Sequence, residues 1–346
     1  MNKVLLASDL HLHCHKRSQE RLKDCLKVLD WIFDTAKKNN IKNILFGGDL
    51  FHDRQKIDVF TYQSVFESLK NNLEDDKCNL FLLLGNHDIW FNEQTSVSSV
   101  IPLSTLKNTK IISKPEKVLI NDVYWDFIPF THNPIESLKE LNSSDYCLAH
   151  IAVDGAILHG NTISDVLIEN DGDMVKVGPE IFKKYKHVFL GHYHQQQKLA
   201  NNVEYIGSPL ELSFGEAFQQ KHIIIFDTNK NKCEYIVNDF SPKHLILKPE
   251  DKNKYNLENN FVRFYVEDIS ETDLISMRKE ILAENNIGTL EIRQQKKKMD
   301  EHIITDAKAI LYKEEEMLTK YVDQVGTNDL DYDTLIEIGK TICNKG

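Results

Sequence analysis

The chain has 346 residues, 41% of them hydrophobic and 27% charged, with a formal net charge of -11. The length passes the roughly 250–300 residues at which one hydrophobic core stops growing, so one large domain with an appendage is expected, and the composition excludes a disordered chain. The acidic total excludes a surface that holds polyanions by bulk charge; a nucleic-acid contact needs a local patch, a bound metal or a partner.

Short apolar runs alternate with helical patterns through the first two-thirds, the mark of a layered α/β domain. Residues 4–8 read as a strand. A helix is predicted over 18–39, with Leu22, Cys25, Leu26, Leu29, Ile32, Phe33 and Ala36 on one face. A strand at 43–46, a helix carrying Tyr62, Val65, Phe66 and Leu69, and a strand at 80–84 follow. Later runs also end in polar residues: YCLAH (146–150), HVFLGHYH (187–194), and the pair VEYIGS and KHIIIFD. Near Ser241 and Pro242 the pattern changes. FVRFYVED (261–268), a helix over 272–284 and IGTLEIRQQ (287–295) suggest a small βαβ-like module. An apolar stripe from Ala307 to Val325, and a shorter one through Leu335, Ile338 and Ile342, predict a terminal helix pair that packs on its own domain or docks elsewhere.

Six cysteines, at 14, 25, 78, 147, 233 and 343, have no CxxC pair or regular spacing, which reads as reduced and mostly buried thiols. The run at 4–7 is too short for a signal-peptide core, and no segment nears the ~20 apolar residues of a membrane span. A cytoplasmic location is expected, in the host cytoplasm if the chain is viral.

The informative residues sit where strands stop. Asp9 and His11 follow the first strand, Asp49 the second, Asn86 and His87 the third, His150 the fourth, and His192 with His194 the fifth. Ligands of open α/β sheets bind at the carboxyl ends of strands, so these ends are expected to meet in one cleft. Without His87, the set is two Asp, one Asn and four His, with no thiolate. It suits manganese, iron or zinc better than calcium or an iron–sulfur cluster. Seven side chains are too many for one ion that keeps an open position. Two ions sharing a carboxylate, about 3.5–4 Å apart, are the usual device for phosphoester hydrolysis. His87, beside the amide ligand Asn86, is placed to give a proton to a leaving alkoxide. Asp88 either fixes the His87 tautomer or is an ordinary turn residue.

In order, DLH (9–11), GGD (47–49), GNHD (85–88), His150 and GHYH (191–194) resemble the calcineurin-like metallophosphoesterase superfamily. Within it, GDLFH (48–52) and YIGSPLELSFGE (205–216) resemble the SbcD-type nuclease subunit, the bacterial and phage relative of the meiotic recombination eleven nuclease. The specific motifs cover residues 1 to about 240. The resemblance implies a layered β-sandwich core flanked by helices, a small α+β capping domain and a C-terminal helical partner-binding element, set at 1–240, 241–298 and 299–346. It implies that Asp9, His11, Asp49 and His194 hold one metal and Asp49, Asn86, His150 and His192 the other. His87 then assists departure of the DNA leaving oxygen, and His52 orients the phosphate. Manganese is the implied metal, with Mg2+, Fe2+ and Zn2+ as alternatives. The implied partners are DNA and an SbcC-type coiled-coil ATPase bound through 303–343, in a heterotetramer built on a homodimer; helices near 58–72 and 94–107 are candidates for the dimer surface.

GDLFHDR departs from the GDxxDRG of protein phosphatases, which counts against that activity. No GxSxG elbow offers a serine nucleophile. Two other functions compete with the nuclease: a phosphoesterase of nucleotides or other small diesters, which the core motifs fit equally, and a non-catalytic DNA-end-binding subunit, against which stand the full ligand set and His87. Gly339, Lys340 and Thr341 lack the upstream glycine of a phosphate loop. Asp329, Asp331 and Asp333 lack the Gly and Glu of a calcium loop and read as helix caps. The run Lys296 to Lys298 reads as a solvated helix start or a DNA-backbone contact.

Overall fold

A computed structural model describes residues 2–295 apart from 13–17, 92–94, 142–143, 159–161, 171, 268 and 285. Two compact units are distinguished, Met1–Gln294 and Gln295–Gly346. The expected terminal helices, the lysine run, the Asp and Gly-Lys-Thr motifs, Cys14 and Cys343 lie outside the described residues. The first unit runs β1 (Lys3–Ala7), α1 (Gln19–Lys38), β2 (Asn43–Phe46), α2 (Val59–Leu73), β3 (Asn79–Leu83), β4 (Thr109–Ile112), β5 (Glu116–Ile120), β6 (Val123–Ile128), α3 (Pro134–Glu140) and β7 (Tyr146–His150). It continues with a hairpin, β8 (Leu167–Asn170) and β9 (Asp173–Lys176), then β10 (His187–Gly191), β11 (Gln197–Ala200), β12 (Val203–Tyr205), β13 (His222–Asp227), β14 (Lys232–Val237), β15 (His244–Leu247), β16 (Phe261–Glu267), α4 (Glu271–Glu284) and β17 (Thr289–Gln295).

Two six-stranded mixed sheets, ordered β14-β13-β1-β2-β3-β4 and β11-β12-β10-β7-β6-β5, form the body. The apolar runs foretell the strands but not their division: β1 to β3 belong to one sheet, β7 and β10 to the other. The period of two in β1 shows how the layers are held. Leu5 and Ala7 join the apolar layer under α1, with Leu22, Cys25, Leu29, Ile32 and Phe33. Val4 and Leu6 point into the layer between the sheets, against Trp125, Phe127, Leu148, Phe189 and Phe226. Trp125 is fully buried there, and truncating so large a side chain costs about 3–5 kcal/mol.

Helix α1 starts where Ser18 accepts the Arg21 N–H at 3.1 Å and ends with Lys37 and Lys38 in its last turn, charges that suit the carbonyl end of the dipole. The helix expected near 94–107 is reduced, among the described residues, to a 3-10 turn at Ile101–Thr105. Pro102 and the Ser and Thr residues around it favour turns over a continued helix. A separate three-stranded sheet, β15-β16-β17, packs Leu245, Val262, Phe264, Ile281 and Leu290 into a small core. It occupies part of the segment expected to form a cap. No helix among the described residues is long and apolar enough to cross a membrane.

Candidate metal centre

All the residues singled out at the strand ends meet at one end of the two sheets. The loops after β1 and β2 run side by side, with Asp9 N–H on Gly48 O at 2.9 Å, His11 N–H on Asp49 O at 3.1 Å and Leu12 N–H on Leu50 O at 2.8 Å. This close pairing bends the backbone. Asp9 (φ 55°), His11 (φ 47°), Asp49 (φ 55°) and His192 (φ 102°) all have positive φ, a conformation costing roughly 1–2 kcal/mol for a non-glycine residue. Strain gathered on the very side chains that converge is the pattern of a functional site. Glycines admit the approach: a Cβ on Gly85 would lie 2.1 Å from Asp49 Oδ1, and one on Gly191 would lie 2.4 Å from Gly47 O.

Asp49 is central. Its Oδ1 accepts the backbone N–H of His87 at 2.7 Å. Its Oδ2 lies 3.5 Å from His11 Nε2 and 3.4 Å from His150 Nε2. His150 Nε2 is also 3.1 Å from Asn86 Oδ1, which in turn lies 2.8 Å from His192 Nδ1. On the other side, His194 Nε2 is 3.0 Å from His11 Nε2. Donor atoms of Asp9, His11 and His194 lie within 4.8 Å of one another, as do those of Asp9, Asp49 and His150. The Asp9 carboxylate accepts the His192 N–H at 3.1 and 3.2 Å.

Outer partners fix which nitrogens look inward. His150 Nδ1 is 2.7 Å from Gly47 O and can only donate there, which leaves a lone pair on Nε2. Glu216 Oε1, 2.9 Å from His194 Nδ1, does the same for that ring. Lone pairs on nitrogen and oxygen therefore face each other around Asp49. Acceptors facing acceptors call for protons or cations between them, and mixed imidazole, carboxylate and amide donors suit a divalent ion. Burial and the His150 charge bring the His192 pKa down to about 3. For His150, burial works downward but the Asp49 carboxylate prevails and lifts it to about 9, so that with no cation bound a proton takes the place on Nε2 facing Asp49. Asp49 is held well below the usual carboxylate range despite its burial, by His150 and then His11.

His87 and His52 stand at the rim of this cluster. His87 Nδ1 lies 2.6 Å from His52 O, so it donates there and leaves Nε2 for another partner. Its ring is 4.7 Å from that of His11 and stacks on His52 at 5.6 Å, and His52 Nδ1 is 3.4 Å from His11 Nδ1.

Asp88 is a turn residue, as one of its two expected readings had it, with its N–H on Gly85 O at 3.2 Å, and it does more than turn the chain. Its buried carboxylate accepts N–H groups of Asp49 (2.8 Å), Gly85 (2.9 Å), Leu50 (3.0 Å) and Phe51 (3.3 Å), pinning the loop after β2 to the loop after β3. It makes no contact of this kind with the His87 ring. Burial and the Asp49 charge raise its pKa to about 7; the four donors oppose that rise.

The supports of His194 had no sequence signal beyond the place of Ser208 and Glu216 in YIGSPLELSFGE and of Lys221 in KHIIIFD. Lys221 Nζ reaches Glu216 Oε2 at 2.6 Å, Ser208 Oγ at 2.8 Å and His194 O at 3.0 Å, with both charged side chains 3% exposed. Burial alone would raise Glu216, but the His194 and Lys221 contacts keep it low.

Residues 2–196 match the model of the calcineurin-like phosphoesterases, a metallophosphoesterase family. The match spans over half of the chain and all of the converging residues. This chain belongs to that family. Among similar curated proteins, exonuclease subunit 1 of Enterobacteria phage T4 is 28% identical over 244 residues, 68% of each chain. The SbcD subunit of the nuclease SbcCD of Escherichia coli (strain K12) is 25% identical over 284 residues, 68% of this chain and 67% of its own. The double-strand break repair protein MRE11 of Gallus gallus is 33% identical over 89 residues, 26% of this chain and 13% of its own. As a calcineurin-like phosphoesterase the chain works with divalent metal ions, and the donor clusters around Asp49 provide for them.

Proposed function

We propose that this chain is the nuclease subunit of a DNA-end-processing assembly, a 3′→5′ exonuclease and endonuclease that uses two divalent ions, manganese foremost. The observation that carries the reading is Asp49 Oδ2, poised between His11 Nε2 and His150 Nε2 at 3.5 and 3.4 Å, where one carboxylate can serve two ions. Asp9, His11, Asp49 and His194 would hold one ion, and Asp49, Asn86, His150 and His192 the other. The ions would bring positive charge to a phosphodiester and acidify water for attack.

The protein's own part is positional. Gly47 O and Glu216 fix the tautomers of His150 and His194. His87, anchored through Nδ1 on His52 O, offers Nε2 to protonate the leaving oxygen, and His52 orients the phosphate beside it. DNA as substrate is supported by relatives named as nucleases and as a double-strand break repair protein. The subunit naming of SbcCD supports an SbcC-type ATPase as partner, for which we assign residues 303–343, with 241–298 as the cap. Exposed Val59, Phe60, Trp90 and Phe91 support a homodimer through α2 and the loop after β3. With a net charge of -11, the isolated chain should bind DNA weakly, and nanomolar binding without a partner at physiological salt would contradict this.

The test is cleavage of end-labelled duplex DNA and of bis-p-nitrophenyl phosphate with manganese, by wild type, His87→Ala and Asp49→Asn. DNA degradation that both substitutions abolish supports the reading. Cleavage of the small diester alone, even with a candidate ATPase supplied, would keep the chemistry and discard the substrate.

A further inference from the structure

A second cluster of metal-binding side chains lies at the opposite end of β10 from the Asp49 centre. His187 opens that strand, and the five residues to His192 span about 16 Å. His187 Nε2 is 2.8 Å from Glu204 Oε1 on the neighbouring β12. From the other sheet, Cys233 Sγ on the edge strand β14 approaches the same oxygen to 3.4 Å. These three donor atoms lie within 4.8 Å of one another. Glu204 is a carboxylate with 1% exposure in the layer between two sheets. Its second oxygen accepts Tyr235 OH at 2.7 Å and Gln196 Nε2 at 3.3 Å.

We propose that His187, Glu204 and Cys233 bind a zinc ion that clamps the two sheets together, a structural site separate from the phosphoesterase centre. The distances are near those required. A tetrahedral zinc with bonds of about 2.0–2.1 Å to N and O and 2.3 Å to S sets its ligands about 3.3–3.5 Å apart. The sulfur–oxygen pair is already there at 3.4 Å, and the nitrogen–oxygen pair must open by about half an ångström from 2.8 Å. Charge also balances. On binding, the Cys233 thiol proton passes to solvent, the His187 ring gives up the Nε2 proton it holds toward Glu204 and carries one on Nδ1 instead, and one thiolate, one carboxylate and a neutral imidazole offset the dication, so no net charge is buried.

A thiolate beside imidazole selects zinc over magnesium, calcium or manganese, a narrower choice than that of the thiol-free donor set around Asp49. Cys233 is only half buried, which leaves a fourth position for water. Beyond Tyr235 a buried group lacks a partner. His222 shares the inward face of β13 and β14, packs edge-on to Tyr235 at 5.0 Å and is sensitive to the Glu204 charge. Its buried Nε2 has no hydrogen-bond partner, although a buried polar group without one is rare.

The experiment uses the full chain, stripped with a chelator and then given Zn2+ or Co2+. The thiol at 233 is read directly, by iodoacetamide labelling mapped to that residue by mass spectrometry and by thiolate-to-cobalt charge-transfer absorption. Saturating zinc should slow labelling of Cys233 by roughly tenfold or more, because the bound thiolate is no longer a free nucleophile. The cobalt band should vanish in Cys233→Ala and weaken in His187→Gln, yet survive Asp49→Asn. A labelling rate unchanged by saturating zinc, or a cobalt band undiminished in Cys233→Ala, would overturn the proposal. The labelling arm needs no substitution, so a variant that fails to fold does not blunt it.

Discussion

Asp49 and Asp126 are both buried carboxylates, 1% and 0% exposed, and their surroundings could hardly differ more. Asp126 accepts from Ser144 N–H at 3.0 Å, Ser144 Oγ at 2.5 Å and Tyr185 OH at 2.8 Å. Every one of these neighbours is a donor, and the charge is settled where it lies. Around Asp49 Oδ2 stand two imidazole nitrogens, Nε2 of His11 and Nε2 of His150, the second from a ring whose Nδ1 proton is committed to Gly47 O, with Asn86 Oδ1 close behind. A buried charge met only by hydroxyl and backbone donors supports a fold, whereas one met by imidazole or thiol groups, which can give up a proton and ligate, can hold a cation instead. Burial does not distinguish the two; the kind of neighbour does.

The contrast breaks most severely if Asp49→Asn keeps its function. That substitution is expected to lower phosphodiesterase activity at least ~10³-fold and reduce the metal content, read by steady-state rates and metal analysis, because in the proposed centre one oxygen would serve both ions. His87→Ala should slow turnover on the order of 10²–10³-fold with metal retained, the usual scale for losing a general acid; metal loss in this variant would make His87 a ligand instead.

At the other pole, Asp126→Ala should cost about 3 kcal/mol, since it strands three buried donors. It should leave turnover intact below its lowered melting temperature, and a turnover defect without instability would count against a structural role. Glu216→Gln removes the charge and turns an amide NH2 toward the donors on one side of the carboxylate, His194 or Lys221, and should weaken metal binding by roughly 10- to 100-fold, measurable by titration; unchanged affinity would dissociate Glu216 from the centre.

The smallest effect concerns pH. Burial brings the His222 pKa down to about 4, below the ordinary ~6.5 that it regains on unfolding. The folded state holds this ring neutral, so its contribution is complete above about pH 6.5 and is lost as pH falls toward 4. In metal-free protein at pH 5 the loss should be about 1–2 kcal/mol. His222→Gln should flatten the melting-temperature profile over that window, and parallel profiles would place the acid sensitivity elsewhere.

Much of this was legible along the chain. The runs ending at Ala7, Phe46, Leu83, His150 and Gly191 announce strands because short apolar stretches next to Gly, Asn and Asp have few other uses. Helix α1 appears within a residue of its expected bounds because its apolar face repeats at helical spacing. The segment near 94–107 misled because a few apolar side chains near Pro102 imitate a helical face that the local turn chemistry does not support. Glu216 and Lys221 carry no such signal, because the support of His194 comes from 22 and 27 positions further along, with no periodicity to link them.

By itself, then, the sequence determined the chemistry: which donors are present, which motifs carry them, and that each follows a strand. Side-chain type and local pattern are properties of neighbouring residues, and they survive without the fold. Only the tertiary structure decided that β1 to β3 and β7 with β10 belong to different sheets, so that one centre draws on both. It also decided that Asp88 pins two loops, and that Glu204 on β12 meets Cys233 on β14 across the sandwich. Those outcomes depend on long-range pairing and on which way each proton points, and neither is encoded in any short stretch of chain.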